Sequence, residues 1–144
     1  MHSNEKSNPA AINASAALLL TLLSSLAGAV EPETFALFLS RFCSDSAFRV
    51  ERTPVPLSVN LGNKADGEPV RENWSKEEVA RSFIPPLSAS KLREYGLAER
   101  LSICGPQCRE IFQYRREADS YLLSYRFERR ENLWFLVEYR DESL

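Results

Sequence analysis

With 144 residues, 44% hydrophobic and 26% charged, the chain has the make-up of one globular domain and lacks the bias of a disordered or fibrous protein. Its formal net charge of -2 removes the electrostatic case for a nucleic-acid or anionic-membrane partner. The arginines that accumulate towards the C-terminus alternate with Glu and Asp, the pattern of a solvated mixed-charge face and not of a phosphate track.

The first residues differ in character from the rest. Ala16 to Leu26 is an apolar run of the length of a signal-peptide core and too short to span a bilayer. Lys6 precedes it, and Ala27-Gly28-Ala29 follows with the small side chains a signal peptidase accepts. Residues 1–29 therefore read as a signal peptide cleaved after Ala29, and residues 30–144 as a single α+β domain, exported to the periplasm or secreted. No cysteine follows the small-residue site, so no lipid anchor is expected, and no stable membrane span remains after cleavage.

Glu31-Pro32-Glu33 opens the first expected helix, with proline tolerated in the first turn and acids favoured at its N-terminus. Phe35, Phe38, Leu39 and Phe42 then fall on one face, Leu37 and Arg41 lie away from it, and Cys43 marks the expected end. Ser44-Asp45 can cap a second short turn carrying Phe48. Pro54 and Pro56 enforce extended backbone, and Val55, Leu57, Val59 and Leu61 alternate. Pro54 to Leu61 is thus expected as a strand at a sheet edge. Leu61 to Asn73, with Gly62, Gly67 and Pro69 and little apolar content, reads as a mobile surface loop.

Ser75 and Glu78 have capping-box spacing, and Pro85-Pro86 stops the helix they start. Ser88 to Tyr95 gives a helical turn closed by Gly96. Strands are expected over Leu97 to Ile103 and Arg109 to Arg115, with Gly105-Pro106 turning between them. The end of the chain, Ser120 to Tyr139, carries the strongest pattern. Tyr121, Leu123, Tyr125 and Phe127 alternate with Leu122, Ser124, Arg126 and Glu128, and Arg129 to Asn132 forms a charged turn. On the returning strand, strict alternation puts Trp134 and Leu136 on one face and Phe135, Val137 and Tyr139 on the other. Helices followed by a run of antiparallel strands define an α+β fold with the helices against one sheet face.

Two blocks carry a family likeness. Phe35 to Leu57 resembles the opening of small exported bacterial proteins grouped as domain of unknown function 4348, through Phe38, Phe42, Ser44-Asp45, Phe48 and Pro56-Leu57. Val55 stands where that family has an aromatic residue. The end is similar too, at Trp134, Leu136, Val137, Asp141 and Ser143, with Asn132 in place of a glycine. The resemblance implies a nuclear-transport-factor-2-like cone, a curved antiparallel sheet wrapped around N-terminal helices, and attaches no activity.

The candidate sites are few. His2, the only histidine, lies in the expected leader, so the mature domain has no Ser-His or Cys-His nucleophile pair and no imidazole base. Cys104 and Cys108 can close a local disulfide in an oxidising compartment, while Cys43 reads as a small buried apolar residue. CGPQC is one residue longer than a redox motif, and a strand follows it where that chemistry needs a helix N-terminus. No metal or other cofactor is expected. Related cones pair an Asp with a Tyr for acid-base work, as ketosteroid isomerase does. Tyr114, Tyr121, Tyr125 and Trp134 are the candidate pocket or binding residues, but the expected strands carry no Asp, and Glu128 and Glu138 fall on positions facing water. The expectation is an exported, non-catalytic binding protein that engages an unknown protein partner or small ligand through the cone's open face and the Leu61 to Asn73 loop, with immunity against a secreted toxin as one version. The alternative is a small-ligand binder or minor enzyme using an apolar pocket inside the cone.

Overall fold

The first helix, α1 (Phe35–Ser44), begins later than the acidic lead suggests. Glu33 is diverted: its N–H donates to Asn132 O at 3.0 Å and its carbonyl accepts from Trp134 Nε1 at 3.0 Å, so it cannot join a helical turn. Thr34 takes over as the cap. These observations come from a computed structural model that describes residues 31–117 and 121–143. The expected leader, residues 1–29, lies outside them.

Asp45 both ends α1 and caps α2 (Ser46–Glu51), its carboxylate accepting from Phe48 N at 3.0 Å. That hydrogen bond holds the Asp45 carboxyl below its usual range. Phe38 and Phe42 of α1 and Phe48 of α2 are buried, as their spacing requires, and Leu37 is exposed.

β1 (Leu57–Asn63) starts after the two prolines, so neither removes a ladder hydrogen bond. It is not an edge. It pairs antiparallel with β2 (Pro69–Trp74) on one side and parallel with the final strand on the other. β2 takes the edge and occupies the stretch expected to be loop. Only Trp74 of that strand is buried, opposite Leu57, so an edge strand solvated along most of its length shows no apolar alternation. The loop shrinks to a turn closed by Lys64 N to Glu68 O at 2.8 Å.

The capping box forms as its spacing indicates: Ser75 N donates to Glu78 Oε2 at 2.7 Å, and Glu78 N to Ser75 Oγ at 3.3 Å. It opens α3 (Lys76–Ser82) and is followed by α4 (Ala89–Glu94), capped by Ser88. Then come β3 (Leu97–Gly105), β4 (Cys108–Arg115), β5 (Tyr121–Arg130) and β6 (Leu133–Asp141). Among the described residues the sheet has six strands in the order β2-β1-β6-β5-β4-β3, which puts the β5–β6 hairpin at its centre. It is mixed: β1–β6 is parallel and the other pairings are antiparallel.

Glu131 and Asn132 both have positive φ, 47° and 67°, as a two-residue hairpin turn matched to strand twist demands. Further along β6 the ladder slips, with Phe127 opposite Leu136 but Arg126 opposite Glu138. Val137 is thus an extra residue, a bulge that shifts the alternation by one. Tyr139 consequently turns to the same face as Trp134 and Leu136 and is fully buried, contrary to strict alternation.

Candidate functional site

The inner face of the cone is filled. Phe127 is met by the rings of Phe35, Phe38 and Phe42 at centroid distances of 5.5, 5.6 and 5.5 Å. Phe83 closes on Tyr139 at 4.7 Å and on Tyr125 at 5.9 Å. A ligand there would have to displace core side chains at several kcal/mol each. Tyr125 and Trp134, candidates for a pocket, are instead packing residues, at 1% and 2% exposure.

A short segment between two helices is tied to the inner face of the sheet. The Pro85-Pro86 stretch between α3 and α4 is held by Tyr125 Oη, which donates to Ile84 O at 2.9 Å. Gln113, fully buried, grips Leu87 from both sides: its Oε1 accepts from Leu87 N at 3.0 Å and its Nε2 donates to Leu87 O at 3.2 Å. Gln113 Nε2 also donates to Glu99 Oε2 at 2.6 Å. A buried amide satisfied at both ends is a strong tether. Nothing in the sequence pattern separates Gln113 from an ordinary surface glutamine.

The acid missing from the sequence reading is present. β6 runs two residues beyond the expected hairpin end and carries Asp141, whose Oδ2 accepts from Tyr139 Oη at 3.1 Å. Burial pushes the Tyr139 phenol up, and the Asp141 carboxylate adds to the rise. Burial also raises Tyr125, with smaller contributions from Tyr139 and Asp141. Both phenols therefore stay protonated and act as structural donors, not bases. Their folded pKa lies above the unfolded value of about 10. The stabilisation is therefore complete below about pH 10 and lost as pH rises beyond it. Alkaline titration should show two of the five tyrosines ionising only as the protein unfolds. A Tyr125→Phe/Tyr139→Phe protein should unfold at higher pH relative to its own neutral stability. Ionisation of all five tyrosines while the far-UV circular dichroism remains that of the folded protein would contradict the buried placement.

The four aromatic candidates are not brought together. Tyr125 and Trp134 face inward. Tyr114 is half-buried on the outer face, in register with Ala98 and Tyr121. The Tyr121 backbone is placed in β5, and its side chain lies outside the described residues. Cys104 and Cys108 stand at disulfide distance across the β3–β4 turn, with Cα atoms 5.0 Å apart, and Cys108 begins a strand. Cys43 is half-buried, its thiol pushed up by that burial. Among the described residues no cluster of three His, Cys, Asp or Glu side chains could hold a metal, and no helix is long and apolar enough to cross a membrane.

Comparison with known proteins places the fold and stops there. A nuclear-transport-factor-2-like protein from Bacteroides fragilis NCTC 9343 superposes with a TM-score of 0.55 at 18% identity, over 79% of this chain and 49% of its own. The chain thus spans about half of that protein's length. A protein from Bacteroides uniformis ATCC 8492 gives a TM-score of 0.57 at 20% identity, covering 78% of each chain. A cystatin-like protein from Bacteroides caccae ATCC 43185 gives 0.54 at 22% identity, again over 78% of each. No family model and no curated protein matches. The fold is an α+β cone of the nuclear-transport-factor-2-like class. Likeness at these identities shows the fold alone.

Proposed function

We propose that this protein is an exported, non-catalytic binding protein that engages a protein partner through its surface, with toxin immunity as one form of that role. The observation that carries this reading is the filled cone. The inner face holds core aromatics, the Ile84 to Leu87 segment is tied to it, and the Tyr139–Asp141 pair is committed to structure. The alternative of a small-ligand or enzymatic pocket inside the cone loses its site by the same packing. Membership of the domain of unknown function 4348 family remains a reading of the two terminal blocks.

Export is supported by the cysteine pair, since a disulfide between Cys104 and Cys108 suits an oxidising compartment. The surface that fits a protein partner is the β3 edge. β3 ends the sheet, and Leu101 and Ile103 on it are 54% and 70% exposed. An open edge with exposed apolar side chains favours strand addition or apolar docking.

The test is affinity capture from periplasmic extract of the native host, comparing the wild type with a Leu101→Asp/Ile103→Asp protein. A partner retained by the first and lost by the second is expected. Recovery of the bait alone, or equal capture by both, would remove the support. Intact mass of the periplasmic protein should correspond to residues 30–144 with no free thiol at Cys104 or Cys108. A full-length mass would overturn the export reading separately.

A further inference from the structure

The outer face of the sheet contains a built depression that the binding role through β3 does not use. Ser124 of β5 lies in register with Arg140 of β6 on one side and Phe112 of β4 on the other. One step along the strands, Arg126 lies in register with Glu138 and Glu110. A serine between an aromatic ring and two arginines leaves a gap, and these six residues line a cavity of about 80 Å³. The Arg100 guanidinium lies 4.7 Å from the Phe112 ring centroid, which supports that wall from behind.

The donors at this cavity are under-used. Arg140 Nε is buried and has no hydrogen-bond partner among the described residues. Arg140 Nη1 is 3.8 Å from Glu142, and Arg126 Nη2 is 3.8 Å from Glu128, both beyond hydrogen-bond length. Among the described residues neither guanidinium fork has an acceptor at hydrogen-bond length, and a planar oxyanion is the group whose geometry matches such a fork. In the lining, Glu110 and Glu138 match the two guanidiniums, and outside it Glu142 and Glu128 are matched by Arg100 beside Phe112 and Arg130 beside Glu128. A dianion would meet both lining acids and a bare cation both lining arginines, so the ligand favoured carries one charge of each sign a few bonds apart. The volume, about that of two or three waters, takes such a headgroup and leaves anything larger outside.

We propose that this cavity binds a zwitterionic α-amino acid. The carboxylate is taken by Arg140 and Arg126 with the Ser124 hydroxyl, the ammonium by Glu110 and Glu138, and the side chain runs out over Phe112.

Amide NMR titration of the purified protein with L-alanine, acetate and inorganic phosphate tests this. L-Alanine should shift the amides of Phe112, Ser124 and Arg140 saturably, with a dissociation constant on the order of 1 mM, the range open to so few contacts. Acetate should bind about tenfold more weakly and phosphate no better than acetate, because each lacks the ammonium. Arg140→Gln should weaken L-alanine about tenfold. Ser124→Leu, which fills the depression from the solvent side, should abolish binding and serves if Arg140→Gln does not fold. Unsaturable shifts, phosphate binding as tight as L-alanine, or wild-type affinity in either folded variant would overturn the proposal.

Discussion

Trp134→Ala is expected to lower the free energy of unfolding by about 3–5 kcal/mol, the range for deleting a buried aromatic side chain. Trp134 is 2% exposed, meets Phe35 edge-on at 5.0 Å and is flanked by Arg109 and Arg129 at 5.4 and 5.7 Å from its ring centroid. Its indole N–H also donates to Glu33 O, so the substitution releases the chain leading into α1 as well as opening a cavity. Against a total stability of about 5–15 kcal/mol for an ordinary domain, between about a fifth and all of it would be lost. Urea unfolding followed by far-UV circular dichroism measures it. Trp134→Phe should recover most of the loss in packing but not the hydrogen bond. An unchanged midpoint in Trp134→Ala would place this side chain at the surface and contradict the architecture.

Glu33→Ala should cost about 3–5 kcal/mol, reduced somewhat because the Glu33 side chain keeps 20% of its exposure. One carboxylate oxygen, Oε2, accepts from Arg52 Nη1 at 2.9 Å and from Trp134 N at 3.0 Å. Arg52, 9% exposed, donates through the same Nη1 to Trp134 O at 3.2 Å, and its carbonyl accepts from Leu136 N at 2.9 Å. Removing the carboxylate therefore leaves a largely buried guanidinium with only the exposed Glu51 carboxylate, 4.0 Å from Nε, as counter-charge. The pair itself contributes less than its rupture costs, so Glu33→Ala/Arg52→Met should be more stable than the sum of the single losses implies. Strict additivity would show that the two side chains do not act as a unit.

The parts of the fold legible in the sequence are those with local causes. The Phe35, Phe38, Leu39 and Phe42 stripe, the Asp45 and Ser75 caps and the alternation through Tyr125 and Phe127 each announce their elements, because cap and period depend on neighbours within a turn. β2 was not legible. Its residues Pro69 to Trp74 hold one buried side chain, so an edge strand in water looks the same as a loop. The functional surface was less legible still. Tyr125 and Trp134 drew attention as aromatics, yet the same aromaticity fills the core, and residue type does not distinguish lining from filling. Ser124 and Arg140 are 16 positions apart in the chain and become neighbours only by cross-strand register.

From its residues alone, this protein is determined to be an α+β chain with Phe-rich helices, a C-terminal hairpin and no histidine after His2 for nucleophilic chemistry. Only the tertiary structure decided that β1 runs parallel to β6, that the Val137 bulge turns Tyr139 inward, and that Tyr125 and Gln113 tie the Ile84 to Leu87 segment to the sheet. The reason is physical. Caps and periods are set by interactions a few residues long, whereas strand order, ladder slips and buried side-chain tethers are settled by contacts between segments tens of residues apart.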